Sequence, residues 1–113
     1  MFIGIDLGTS SIKTILIDEN QKVIGSVNRP LDLLNPKTGY YEQNPDSWYL
    51  ATLKSFEELK SKFLKEFTAT NAIGISGQMH GATLIDKNKT VLRPCILWND
   101  TRSASQCIEM ENS

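Results

Sequence analysis

The 113-residue sequence lacks the features that mark several large classes of protein. No apolar run reaches the roughly 18 residues that a membrane-spanning helix requires, so the sequence predicts no membrane partner. The formal net charge is −1, and the absence of a basic surplus argues against nucleic acid as a partner. The P-loop pattern Gly-x-x-x-x-Gly-Lys-Ser/Thr is also absent, so any nucleotide phosphate must be bound by another kind of loop.

Cysteine and histidine are too few and too widely spaced for a metal or redox motif. Cys95 and Cys107 form no Cys-x-x-Cys pair, and His80 is the only histidine. The chain begins directly with the strand-like residues 2–5 and has no basic leader or cleavage site, which argues against a signal peptide. Two unpaired thiols without an export signal predict a cytoplasmic location, with a disulfide between them as the less favoured alternative.

Residues 3–13 predict a β-hairpin with a polar tip. Gly8 allows a tight turn and a close approach to its backbone. Hydroxyl residues follow this glycine: Thr9, Ser10 and Ser11. Their hydroxyls and N–H groups form a concave donor surface suited to phosphate oxygens. Asp6 places a carboxylate at the mouth of the turn, where a hydrated Mg²⁺ can bind, and Lys13 adds a positive charge. The alternative is an ordinary hairpin turn that binds nothing.

The rest of the predicted sheet comes from three apolar segments. Residues 12–17 and 23–27 are separated by a polar turn and predict a second and a third strand, antiparallel to each other. Residues 72–75 form a short apolar run without alternation, which predicts a central strand buried on both faces and parallel to the first. Ligands bind at the C-terminal ends of parallel strands in such sheets, so the residues after Ile75 are the expected place for chemistry.

A loop and a helix separate the third strand from the fourth. Residues 29–45 are punctuated by prolines. Their polar-aromatic patch, residues 39–45, is expected to hold the loop against the domain, with lining of a ligand cleft as the alternative. The helix begins with Asn44 as its N-cap and Pro45 at its first position, and it ends by residues 68–71. Apolar residues at helical spacing predict a face packed on the sheet: Tyr49, Leu53, Phe56, Leu59, Phe63 and Phe67.

The loop after the predicted parallel strand, residues 76–81, contains two glycines that permit a sharp backbone excursion. Gln78 offers a donor and an acceptor, and so does His80 in its neutral form. Met79 offers an adaptable apolar surface for a carbon chain. These groups suit a polyol or a sugar, although a lone loop histidine that makes only structural hydrogen bonds is the alternative.

The C-terminal third predicts shorter elements. Residues 82–86 predict a strand, with residues 91–92 pairing back onto it. A helix is predicted over residues 103–109, with Asp100 or Thr101 as its cap.

Several of these segments resemble a known family. Residues 4–10, Gly-Ile-Asp-Leu-Gly-Thr-Ser, resemble the first phosphate motif of the actin, sugar-kinase and heat-shock-70 superfamily. This resemblance implies an α/β, ribonuclease-H-like mixed sheet with helices packed on it, here truncated. Residues 75–81, 91–94 and 96–100 resemble the start of the FGGY carbohydrate kinases, and among these the xylulokinases. Related glycerol kinases carry charged residues inside the Gln-Met-His-Gly block, so that block is the discriminating signal.

The resemblance implies an ATP-dependent kinase that uses Mg²⁺ and converts D-xylulose to D-xylulose 5-phosphate. Asp6 would be the catalytic residue and metal ligand, near the transferring phosphoryl group. The residues implied to contact the ATP phosphates are Gly8, Thr9, Ser10 and Lys13. The residues implied to contact or wall the sugar are Gln78, Met79, His80, Trp98 and Asp100. For Asp100, helix capping or a salt link with Arg102 is the alternative.

The resemblance also implies that residues 1–113 are the N-terminal part of the first kinase domain. The family's catalytic aspartate and its adenosine-binding second domain are then expected downstream of Ser113, so the isolated chain is predicted to be inactive. Three alternatives stay open: an FGGY kinase for another ketose, polyol or sugar acid; a chaperone-like or actin-like nucleotide-binding switch; and a remnant that folds but binds nothing well. A homodimer is also left open.

Overall fold

Short strands and three helices alternate along the chain in the computed structural model, which describes residues 1–113. The strands are β1 (Phe2–Leu7), β2 (Ser11–Ile17), β3 (Val23–Pro30), β4 (Glu42–Gln43), β5 (Ala72–Gly77) and β6 (Cys95–Ile96). The helices are α1 (Pro45–Lys62), α2 (Leu64–Thr68) and α3 (Ala104–Glu111). The chain divides into unit 1, residues 1–32 and 46–78, and unit 2, residues 33–45 and 79–113.

Unit 1 is built on a four-stranded mixed sheet with the strand order β3-β2-β1-β5. The pairs β1–β2 and β2–β3 are antiparallel, whereas β5 runs parallel to β1. Helices α1 and α2 connect β3 to β5 in sequence. This arrangement confirms the predicted α/β mixed sheet of ribonuclease-H-like type, the predicted opening hairpin and the predicted parallel strand.

Alternate side chains of the strands face the helices and form the core of unit 1. Apolar residues with β-branched or long side chains dominate that face because a half-buried pleated surface favours them. The buried cluster comprises Ile3, Ile5, Ile12, Leu16, Val27, Leu31 and Leu59. Partly buried residues packed against it include Trp48, Phe56, Phe63 and Phe67.

Helix α1 begins at Pro45 as predicted, but the prediction of which residues form its apolar face is partly wrong. Tyr49 is 66% exposed and Leu53 is also exposed. The buried residues of α1 are Ser55 and Leu59, and Trp48 and Ala51 pack against the core beside them. Their spacing of three to four residues defines a face that is turned away from Tyr49 and Leu53.

The predicted single helix is interrupted at Phe63, whose φ of −137° and ψ of 51° are not helical. The Phe63 ring packs against Gly25 of β3, and a Cβ atom on Gly25 would lie 2.5 Å from the Phe63 ring atom Cε2. The glycine therefore makes the space into which this ring fits, where the helical path changes.

The prediction that residues 72–75 form a central strand buried on both faces is wrong. Strand β5 lies at the edge of the sheet, and all six of its residues are exposed. Ile75, for example, is 75% exposed. Only β1 pairs with β5, so its apolar side chains lack the second neighbour that a central strand has.

Unit 2 consists of short segments. Strands β4 and β6 are antiparallel, and isolated bridges join Ala82 to Ile96 and Ile85 to Val91. The strand predicted at residues 82–86 is therefore reduced to two bridges, although the pairing of its end with Val91 occurs as predicted. Helix α3 confirms the predicted helix, but its N-cap is Ser103 without a side-chain cap bond, so the predicted cap is wrong.

Both cysteines are free thiols, Cys95 buried and Cys107 exposed. None of the three helices is both long and apolar enough to cross a membrane.

Candidate functional site

A row of polar residues crosses three strands of unit 1. Asp6 on β1 is paired with Lys13 on β2 and with Ser76 on β5. The Ser76 hydroxyl donates to Asp6 Oδ1 at 3.0 Å. These residues line an open cavity of about 490 Å³, whose lining also includes Gly4 and Gly74. The sheet register thus brings together Asp6 and Lys13, and it adds Ser76, which sequence reasoning did not select.

The turn after β1 is tight. The Gly8 N–H donates to the Ser11 carbonyl at 3.0 Å, and a Cβ atom on Gly8 would lie only 3.0 Å from that oxygen. The Ser10 carbonyl accepts the Leu31 N–H at 2.9 Å, which anchors the turn to the end of β3. Ser10 itself is exposed at the tip. The predicted phosphate turn is therefore a fixed loop whose tip is open to a ligand.

Gln78 connects this turn to the end of β5. Its backbone N–H donates to the Leu7 carbonyl at 2.9 Å. The Thr9 hydroxyl donates to Gln78 Oε1 at 2.9 Å. Because β1 and β5 are parallel, both segments follow the C-terminal ends of neighbouring strands, which is where ligands bind in α/β sheets. Unit 1 thus holds one set of predicted site residues: Asp6, Gly8, Thr9, Ser10, Lys13 and Gln78.

The second set lies in unit 2 and begins with Met79 and His80. His80 has a φ of +58°, in the left-handed region that residues other than glycine seldom adopt. Both side chains are exposed. Gln21 and Lys89 share this conformation, so it does not by itself single out His80 as a functional residue.

Trp98 lies two residues after the end of β6. Ala82 and Ile96 exchange backbone hydrogen bonds of 2.8 Å and 3.1 Å. His80 lies two positions before Ala82, and Trp98 lies two positions after Ile96. Antiparallel register places such positions at the same end of the pair. Trp98 occupies the turn closed by the Asp100 N–H and the Leu97 carbonyl at 3.1 Å, and it is 56% exposed.

Asp100 is engaged within unit 2. Its side chain is 2% exposed. Oδ1 accepts from the Arg102 backbone N–H at 2.9 Å and from Arg102 Nε at 2.8 Å. Oδ2 accepts from the Tyr41 N–H and from the Arg102 guanidinium, each at 2.7 Å. A sugar hydroxyl would compete with these four bonds.

The hydrogen bonds between Arg102 and Asp100 also shift the pKa values of both groups. They hold the pKa of the Asp100 carboxyl well below its usual range, against an opposing effect of desolvation. The same pairing raises the pKa of Arg102. Both groups therefore stay charged at neutral pH, and the predicted salt link is present.

Sequence reasoning missed the partner that completes this cluster. Arg102 also donates to Glu42 Oε1 at 2.7 Å, and Arg93 pairs with the same carboxylate. The Arg102 guanidinium carbon lies 4.1 Å from the centroid of the Tyr40 ring. Residues 39–45 thus bind to the 95–102 segment, which confirms that the polar-aromatic patch holds its loop in place. That patch was the sequence signal, but it did not identify the arginines.

The described residues contain no cluster of three or more histidine, cysteine, aspartate or glutamate side chains that could hold a metal ion. A metal at the polar row would therefore rely on Asp6 together with oxygens from phosphate and water.

Comparison with known proteins matches the whole chain, residues 1–113, to the N-terminal domain of the FGGY family of carbohydrate kinases. A xylulose kinase of Bacillus subtilis is 47% identical over 108 residues, which cover 96% of this chain and 22% of that protein. The crystal structure of a xyloylose kinase from Brucella ovis is 49% identical, with a TM-score of 0.93 over 97% of this chain and 23% of that one.

A third match is more distant in sequence. The crystal structure of a gluconate kinase from Lactobacillus acidophilus is 29% identical, with a TM-score of 0.91 over 98% of this chain and 22% of that one. The chain thus spans about a fifth of the length of the proteins that it matches. Because the family match extends over every residue, the chain belongs to the FGGY family of carbohydrate kinases.

Proposed function

We propose that this chain supplies the phosphate-binding turn and part of the sugar pocket of an ATP-dependent carbohydrate kinase. The key observation is the 2.9 Å hydrogen bond from Thr9 to Gln78. It joins the turn predicted to bind phosphate to Gln78, one of the residues predicted to contact the sugar. Phosphoryl transfer depends mainly on holding donor and acceptor in one geometry, and a direct link between the two loops serves that purpose.

The polar row and the turn fit an Mg²⁺-bound nucleotide phosphate. Mg²⁺ usually takes one or two protein carboxylates and completes its shell with phosphate and water, so the single carboxylate of Asp6 is sufficient. Ser76 would hold that carboxylate in one orientation through its hydrogen bond. Lys13 would offset phosphate charge, and the tip of the turn, with Ser10, would donate to phosphate oxygens. When bound, the ion neutralises charge on the phosphates.

We propose D-xylulose as the substrate and D-xylulose 5-phosphate as the product. Support comes from the names of curated relatives, among them xylulose kinases of Bacillus subtilis, Klebsiella pneumoniae and Escherichia coli at 43% to 47% identity. His80 can donate and accept hydrogen bonds with sugar hydroxyls. Met79 and Trp98 offer exposed apolar surface for the carbon chain.

A kinase for another ketose, polyol or sugar acid is the second candidate. The gluconate kinase structure favours it, because a chain that is 29% identical has nearly the same fold over this segment. The family match favours either kinase over a chaperone-like or actin-like nucleotide switch.

We also propose that the catalytic base and the adenosine-binding domain lie outside residues 1–113. The chain corresponds to 22% of the Bacillus subtilis relative. The isolated chain should therefore show no ADP release that depends on D-xylulose. Measurable phosphorylation by the purified chain would contradict this arrangement.

A chimera tests the proposed function. Residues 1–113 would replace the matching segment of the Bacillus subtilis xylulose kinase, and ADP release would be measured with D-xylulose, D-ribulose, L-fuculose, glycerol and gluconate. We expect D-xylulose to dominate. We expect His80→Asn to lower kcat/KM by about tenfold or more, because a fixed hydrogen-bonding group is displaced.

The matched control is Lys89→Asn. Lys89 also has a left-handed backbone, with a φ of +66°, and asparagine tolerates that conformation at both positions. The control should retain the activity of the parent chimera. Turnover dominated by gluconate or glycerol would keep the kinase and reassign its substrate. A folded chimera without sugar-dependent turnover would refute the proposal.

A further inference from the structure

Trp98 lies in a turn, residues 97–100, whose two ends are held by hydrogen bonds. Leu97 is buried, and the side chain of Asp100 is 2% exposed. The Leu97 N–H donates to the Tyr41 carbonyl at 2.9 Å, and the Tyr41 N–H returns a bond to Asp100 Oδ2 at 2.7 Å. The two ends of the turn are thus fixed to the same residue, and the indole between them is exposed.

The second attachment is ionic. Arg102 binds Asp100 through Nε and the guanidinium NH₂ group, and it also reaches Glu42 Oε1 at 2.7 Å. Glu42 belongs to β4, which pairs with β6, and β6 leads directly into the turn. The Tyr40 ring covers the guanidinium. The planar guanidinium therefore connects the far end of the turn to β4, the partner of the strand that precedes the turn, in a way that lysine cannot reproduce.

We propose that Glu42, Asp100 and Arg102 are positioning residues, which fix the turn over residues 97–100 so that the Trp98 indole is presented to the sugar. The role of the sugar rests on the proposed function. Asp100 can act as a positioning residue while it keeps its four hydrogen bonds within unit 2. Direct contact with the substrate would instead require some of these bonds to break. The positioning role also makes Glu42 and Arg102 residues on which sugar affinity depends without their touching the sugar.

Fluorine NMR on the 113-residue chain labelled with fluorotryptophan tests the proposal. The chain has two tryptophans, so two resonances are expected, and Trp98→Phe assigns them. We expect Glu42→Gln and Arg102→Lys to shift and broaden the Trp98 resonance and to leave that of Trp48 unchanged.

The matched control is Glu58→Gln. Glu58 forms an ion-pair cluster with Arg29 and Lys62 in unit 1. Its substitution should leave the Trp98 resonance unchanged.

Titration with D-xylulose then separates the positioning role from the proposed substrate. If the wild-type Trp98 resonance responds to D-xylulose, Glu42→Gln and Arg102→Lys should weaken the affinity by about tenfold, because a misplaced wall loses much of its contact. A wild-type chain without any response would mean that residues 1–113 alone do not bind D-xylulose, while the sugar-free spectra would still decide whether the cluster fixes Trp98. An unchanged Trp98 resonance in both variants, a change in the Glu58→Gln control, or equal sugar affinity in all chains would overturn the positioning role.

Discussion

The two units of this chain are stabilised by different forces. Unit 1 buries a cluster of apolar side chains between its sheet and α1. Unit 2 consists of short paired segments linked by ion pairs among Glu42, Arg93, Asp100 and Arg102. Apolar burial is non-directional and tolerates small displacements, whereas charged hydrogen bonds require a defined geometry. A supporting sheet and a surface that presents side chains can therefore be built by different means within one short chain.

The largest effect on stability is expected in the core of unit 1. Leu59 is fully buried at 0% exposure, and Leu59→Ala should lower the free energy of unfolding by about 3 kcal/mol because it removes apolar contacts and leaves a cavity. Urea denaturation followed by circular dichroism measures the change.

Leu50→Ala is the matched control, since Leu50 lies on the same helix and is exposed. It should change the free energy of unfolding by less than about 1 kcal/mol. An equal decrease in the free energy of unfolding in the two variants would mean that the buried cluster does not stabilise α1. Unit 1 would then not be stabilised mainly by apolar burial, as proposed here.

Acid should affect unit 2 through Asp100. Hydrogen bonds from Arg102 lower the pKa of this carboxyl in the folded chain below its ordinary value of 3.8. An unfolded chain then takes up the proton first as the pH falls, so the stabilisation is complete at neutral pH and is lost progressively below about pH 4. The hydrogen-exchange protection of the Tyr41 amide, which donates to Asp100, should fall in the same range.

Two variants sharpen this prediction. Asp100→Asn should weaken the protection of Tyr41 at neutral pH and remove its acid dependence. Glu58→Gln alters a carboxylate of unit 1 whose pKa is also lowered, chiefly by a hydrogen bond from Lys62, and it should leave the Tyr41 profile intact. Acid dependence that persists in Asp100→Asn would show that another group controls this segment.

The difference between the units also explains what could be predicted from the sequence. Apolar residues predicted β1, β2 and β3 in unit 1, because strand patterns follow directly from which face is buried, and Asn44 with Pro45 predicted the start of α1. The pairing of Asp6 with Lys13 follows from the same hairpin. By contrast, Glu42 and Arg102 are 60 residues apart, and no local pattern links two charges that meet only through the fold.

Two errors have a physical cause of the same kind. Tyr49 and Leu53 are apolar residues at helical spacing, yet the face of α1 that meets the sheet is set by Trp48, Ala51 and Leu59. Strand β5 has the composition of a central strand, yet its burial depends on neighbours rather than on its own residues. Composition thus indicates which elements can be buried, whereas the fold decides which of them are.

The smallest predicted effect concerns a polar atom inside the apolar core. Thr14 of β2 is fully buried, and its hydroxyl oxygen has no hydrogen-bond partner. Burying an unsatisfied hydroxyl is unfavourable, so Thr14→Val should raise the free energy of unfolding by about 1 kcal/mol in urea denaturation. Ser55 provides the contrast, because its buried hydroxyl donates to the Ala51 carbonyl at 2.9 Å, and Ser55→Ala should give no such gain. If Thr14→Val instead destabilised the chain, the core of unit 1 would depend on a directional polar contact. Both units would then rely on directional polar interactions, and not unit 2 alone.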